Sequence, residues 1–189
     1  MRVPPHTDTQ VLIGVTIPIP APYAQTLSRA RMDSGDVDAL AIAPHITLLP
    51  PMAVERDDLD SVSAHLRQVA AGSAPFVVTL AGTGTFRPTS ATVFVALSEG
   101  SREATHLHEV INAGVLRQEP RFPYHPHVTL AHNVGEEFLE AAYTTYADFD
   151  ATFPVVGFTR YEQSPDGVWR DAEHFTLTST SSDTSESDQ

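Results

Sequence analysis

Two short segments of this chain repeat one another almost residue for residue: Pro44-His45-Ile46-Thr47-Leu48 and Pro126-His127-Val128-Thr129-Leu130. One lies in each half of the 189 residues, and they differ only by Ile for Val. A lone His-x-Thr carries little information; chance duplication of the whole segment is on the order of one in a thousand or rarer. The chemistry the pair offers is proton transfer at a phosphodiester. One neutral imidazole takes a proton from water, and one imidazolium protonates the departing oxygen. A histidine titrates near neutrality, so both forms are within reach. Two threonine hydroxyls donate to non-bridging phosphate oxygens as charge builds on them. The scheme calls for neither metal nor cofactor.

Such a site needs rigid strands. On a β-strand residues i and i+2 face the same way, so His45 shares a face with Thr47, and His127 with Thr129. Ile46, Leu48, Val128 and Leu130 then face the core. Around the motifs strand-like and helix-like stretches alternate. Strands are expected over Val11–Ile17, Ala41–Leu49 (closed by Pro50-Pro51), Phe76–Leu80, Thr92–Leu97, Val128–Ala131, Phe153–Tyr161 and Trp169–Leu177. Helices are expected over Pro22–Met32, Glu55–Ala70, Arg102–Leu116 and Glu136–Tyr146. This order has a twofold look and argues an α+β fold. Residues 1–177 read as a single bilobed domain, two halves sharing one cleft. Thr178–Gln189, polar, acidic and Ser/Thr-rich, reads as a disordered tail.

Composition narrows the partners. The net charge is −13, and all 11 basic residues are arginine. Such a surface repels a long polyanion, whose binding needs several neutralised phosphates. A small cyclic phosphate nucleotide, or the end of an RNA, needs only a few local arginines. The absence of cysteine excludes disulfides and thiolate-rich zinc sites. No apolar stretch has the length of a membrane span and no secretory signal opens the chain, so a cytoplasmic, monomeric protein is expected.

At its two motifs the sequence resembles the 2H phosphoesterase superfamily, and within it the bacterial 2′-5′ RNA ligase and cyclic phosphodiesterase branch. The resemblance spans nearly the whole ordered chain. It implies a duplicated, bilobed α+β fold with two antiparallel sheets, helices on the outer faces and a central cleft. His45 and His127 would be the acid/base pair, with Thr47 and Thr129 on the phosphate oxygens. The implied reaction opens a ribose 2′,3′-cyclic phosphate to a 2′-phosphate, or reverses this as 2′-5′ ligation. We take His127 as the group that activates water and His45 as the acid, though the near-symmetry of the motifs does not fix that order. The sequence departs from the branch in two ways. Thr129-Leu130-Ala131-His132 stands where a basic residue often follows Thr-Leu-Ala, and lysine is missing altogether.

Further contacts are expected from Arg87, in a Gly/Thr-rich connection, and from Arg121, Tyr124 and His125 just before the second motif. Phe86, Phe122 and Tyr124 are candidates to stack on a base. His65, His106 and His108, on helical patterns, read as surface residues. Two other readings stand beside the enzyme: a metallohydrolase built on His125-x-His127, and a non-catalytic module that binds a nucleotide phosphate.

Overall fold

Val11 to Ile17 is apolar apart from Gly14 and Thr16, and it forms a strand buried on both faces, β1 (Gln10–Pro18). The computed structural model describes residues 4–119 and 122–179. Beyond β1 the elements are α1 (Tyr23–Asp33), β2 (His45–Glu55), α2 (Leu59–Ala71), β3 (Phe76–Thr85), β4 (Thr92–Glu99) and α3 (Ser101–Ile111). There follow β5 (His127–His132), α4 (Glu136–Thr145), β6 (Asp150–Val155), β7 (Gly157–Gln163) and β8 (Trp169–Thr176). They build two four-stranded antiparallel sheets, ordered β2-β1-β7-β8 and β5-β4-β3-β6. The α+β class and the paired sheets are as the sequence implies.

Each motif lies on the edge strand of its sheet, and the two edge strands, β2 and β5, pack against one another. One hydrophobic core runs through both sheets, with Ile46, Leu48, Val128 and Leu130 wholly buried in it. Burying each such side chain contributes about 1.5–3 kcal/mol, which fixes which face of either strand turns to the cleft. The helix before each motif crosses to the other sheet: α1 packs on β5 and α3 on β2. The remaining two stay with one sheet each, α4 on β3, β4 and β5, and α2 on β8.

Several expectations need correction. The lobes are not halves of the sequence, because the first sheet joins β1 and β2 to β7 and β8 from the other end of the chain. The run Phe153–Tyr161 is two strands in different sheets: Val155 pairs with Phe76, and Gly157 with Thr176. Gly157 permits this switch, since a Cβ there would lie 2.6 Å from both Phe175 O and His174 Nε2. β2 does not stop at Pro50-Pro51. Both prolines sit opposite Gly14 in a bulge of this edge strand, where their missing N–H groups cost no ladder bond. β3 continues to Thr85, through residues that look turn-forming.

The third helix ends at Ile111 rather than Leu116. The Asn112 side chain binds the backbone of Gln118 through both its oxygen and its nitrogen, which competes with another helical turn. Thr178 and Ser179 donate their amides to Ala70 O and Ser73 O, so chain order extends past Leu177. The rest of the expected tail lies outside the described residues. Among those described, no helix is long and apolar enough to cross a membrane.

Candidate active site

The facing edges of β2 and β5 border a cleft of about 250 Å³. His45, Thr47, His127 and Thr129 all line it, so the two repeated pairs converge on one space. The local geometry of the histidines is duplicated. His45 Nδ1–H donates to Ala43 O at 2.7 Å, and His127 Nδ1–H donates to His125 O at 2.7 Å. A carbonyl only accepts, so in each neutral ring the proton is fixed on Nδ1 and Nε2 keeps its lone pair. The residue between carbonyl and histidine is a proline in both motifs, which holds the backbone extended there. Among the described residues neither threonine spends its hydroxyl on a protein acceptor, which leaves both for a ligand.

The surroundings of the two rings differ. Burial pushes the His45 pKa down to about 4, and the Arg31 guanidinium and the His127 ring push the same way against the Ala43 hydrogen bond. His127 is also lowered: burial outweighs the hydrogen bond to the His125 carbonyl, which pushes up, and the His125 ring adds a smaller downward push. Its ring sits edge-on to Phe86, centroids 5.0 Å apart, and 5.1 Å from Phe94.

The cleft is also lined by residues that the sequence did not mark as contacts, Arg31 and His132 among them. Arg31, buried at the end of α1, gives Nε and Nη2 to Asp36 Oδ2 at 3.2 and 3.0 Å and Nη1 to Ile42 O at 3.2 Å. It thus supplies a cation to the cleft wall, already balanced by one carboxylate. Nothing in its helical pattern distinguishes it from a surface arginine; only the fold brings it to the second motif strand. His132 lines the same end, 3.9 Å from Asp38, and burial lowers its pKa as well.

The other sequence candidates fall elsewhere. Arg87 turns away from the cleft, pairing with Glu136 and Glu140 of α4 and bonding Thr85 Oγ1 at 3.1 Å through Nε. Tyr124 is spent inside the protein: its hydroxyl donates to Thr47 O at 2.8 Å. His125 stands exposed at the rim, its ring 5.6 Å from Phe86 and 6.3 Å from His127. Arg121 lies outside the described residues. Of the candidate stacking rings, Phe86 lines the cleft and Phe122 is exposed away from it. His106 is on the surface as expected, whereas His65 Nε2–H donates to Ile111 O at 3.1 Å and His108 is buried. No group of three or more His, Cys, Asp or Glu able to hold a metal converges among the described residues.

Comparison with known proteins gives the family. The profile of the 2′-5′ RNA ligase superfamily matches residues 19–167. The chain belongs to that superfamily. Among curated proteins it is 27% identical over 160 residues to a provisionally named phosphoesterase of Bacillus licheniformis, covering 84% of this chain and 94% of that one. Among solved structures it superimposes on Escherichia coli LigT complexed with NADP+ at a TM-score of 0.66, with 20% identity over 90% of this chain and 99% of that one. LigT complexed with 3′-AMP gives the same TM-score, identity and coverage. The family match fits a phosphoesterase, and the LigT likeness is one of fold.

Proposed function

We propose that the protein is a metal-independent phosphodiesterase that opens a ribose 2′,3′-cyclic phosphate, or a related 2′-5′ phosphodiester, to a 2′-phosphate. The observation that carries this reading is the convergence of two identical His-x-Thr pairs, each histidine tautomerically fixed, on one cleft. In the reaction water attacks phosphorus, the bond to O3′ breaks, and O3′ leaves with a proton from the acid. The base takes the proton of the attacking water, and the threonine hydroxyls hold the non-bridging oxygens. That LigT is crystallised with 3′-AMP supports a nucleotide-sized ligand.

The charge around the rings favours the reverse of the order taken from the sequence. Burial first, and Arg31 after it, disfavour an imidazolium at His45, so we assign His45 as the resting base and His127 as the acid. Ligation of long RNA fits poorly: the net charge is −13, and the cleft arginine is already tied to Asp36.

The test is incubation of the protein with nucleoside 2′,3′-cyclic phosphates in chelator, separating 2′- from 3′-phosphate products, with His45→Ala and His127→Ala alongside. Formation of the 2′-phosphate, lost in both variants, is the expected result. Turnover that survives both substitutions, or stops in chelator, refutes the two-histidine reading. Tight nucleotide binding with no turnover would leave a binding module instead.

A further inference from the structure

The two motif strands share an irregularity at the same residue of the repeat. In β2, Thr47 pairs with Thr16 and Leu49 with Val15, so Leu48 has no partner on β1. In β5, Thr129 pairs with Phe94 and Ala131 with Val93, so Leu130 has none on β4. Each leucine is the extra residue of a β-bulge directly after its threonine. A bulge breaks the ladder and leaves a backbone carbonyl to be satisfied from elsewhere.

In both strands the donor comes from the helix that precedes the other motif. His108 of α3 gives Nδ1–H to Leu48 O at 2.7 Å. Ser34, which caps α1, reaches Leu130 O at 3.3 Å with a hydroxyl proton shared with Arg31 O at 2.8 Å. The first of these contacts is reinforced. The Tyr124 ring lies flat on the His108 ring, centroids 3.9 Å apart and planes 4° from parallel. Its hydroxyl donates to Thr47 O, the carbonyl next to Leu48. Tyr124 stands three residues before His127, and Thr47 two after His45. One phenol thus ties the entry of the second motif to the backbone of the first.

We propose that His108 and Tyr124 form a latch that sets the separation of His45 and His127 across the cleft. They are positioning residues: neither lines the cleft, and both act through the backbone of Thr47 and Leu48. Ser34 is the weaker counterpart, since its proton is shared. The inference rests on the two-histidine reading, in which acid and base must flank one phosphorus. A misplacement of about 1 Å in such an arrangement can cost on the order of 100-fold in rate.

The test compares wild type, Tyr124→Phe, His108→Leu and His108→Asn by crystal structure and by kinetics on a nucleoside 2′,3′-cyclic phosphate. Tyr124→Phe removes one oxygen and keeps the stacked ring, so folding is retained. It and His108→Leu are expected to widen the gap between the His45 and His127 rings and to lower kcat by about 10- to 100-fold, with KM within about twofold. His108→Asn is expected to recover most of the loss, because its side-chain N–H can still reach Leu48 O. An unchanged ring separation in Tyr124→Phe and His108→Leu overturns the latch. So does a fall of kcat matched by a rise of KM with no rescue by asparagine. Absence of turnover by the wild type would refute the function proposed above, and the ring separation would still decide the latch.

Discussion

β2 and β5 carry the same motif in the same register, yet the residues behind the motifs differ. The cross-strand neighbour of Thr47 is Thr16, and that of Thr129 is Phe94. His45 has a guanidinium nearby, whereas His127 has two phenylalanine rings and a second histidine. A duplicated pair of side chains therefore does not have duplicated surroundings. The motif repeats the histidine and threonine, and the residues behind them give the two rings different electrostatic environments.

The strongest way to break this comparison is to remove one side at a time. Loss of either histidine to alanine is expected to lower kcat/KM by about 10²- to 10⁴-fold, as the proposed proton transfer by each requires. Thr47→Val and Thr129→Val are each expected to cost about 10²-fold, as for a single donor to developing charge. Steady-state hydrolysis of a nucleoside 2′,3′-cyclic phosphate measures all four, and an inert member of any pair would end the symmetric part of the scheme.

A second variant strikes the β5 side alone. Gly84 lies against the Phe94 ring, and a Cβ added there would come within 2.5 Å of it. Gly84→Ala is expected to push Phe94 toward His127, destabilising the fold by about 1–3 kcal/mol in urea unfolding. It should lower kcat as well. Unfolding that is unchanged would mean the ring has room to retreat.

The pH profile of kcat/KM, which reports the free enzyme, sharpens the comparison without damaging either side. With the proposed roles, activity is expected to fall on the acid side as His45 takes up a proton near pH 4. On the alkaline side it is expected to fall as His127 loses its proton below its ordinary value of 6.5. The expected optimum is on the acid side of neutrality. Replacing Arg31 and its partner together (Arg31→Gln with Asp36→Asn) removes a cation that holds His45 neutral. The acid limb then moves to higher pH and the alkaline limb stays. A shift of the alkaline limb instead would swap the two roles. The smallest effect is expected at Arg87: its charge is spent on Glu136 and Glu140, so Arg87→Ala leaves kcat/KM within about twofold.

The convergence of the candidate groups was legible in the sequence because repetition and strand period are both local signals. His45, Thr47, His127 and Thr129 needed only the alternation of faces to be placed together. What surrounds them was not legible, for the opposite reason. Arg31 reaches the cleft, and His108 the first motif, because α1 and α3 each cross to the other sheet. That is a tertiary fact with no mark in either helix. Tyr124 looked like a ligand contact because of its position before the motif, and only the stacked partner explains it as a backbone anchor. Within the fold, Phe153–Tyr161 reads as one apolar run. Nothing short of the paired strands reveals that it changes sheets at Val156. Pro50-Pro51 looked like a stop because a proline inside a ladder is costly, and the bulge on an edge strand removes that cost.

The sheet built from β1, β2, β7 and β8 has a consequence for how the molecule is made. The sheet β5-β4-β3-β6 comes from the unbroken stretch 76–155, while its companion joins opposite ends of the chain. Chains emerge from the ribosome N-terminus first, and pairing across a long separation must first close a long loop. The first motif is thus synthesised early and completed late, since β1 cannot gain its second neighbour until β7 has been translated. Pulse-labelled hydrogen exchange during refolding is expected to protect amides of β4 before those on the β7 side of β1. The reverse order would mean that the terminal strands pair before the middle of the chain has folded.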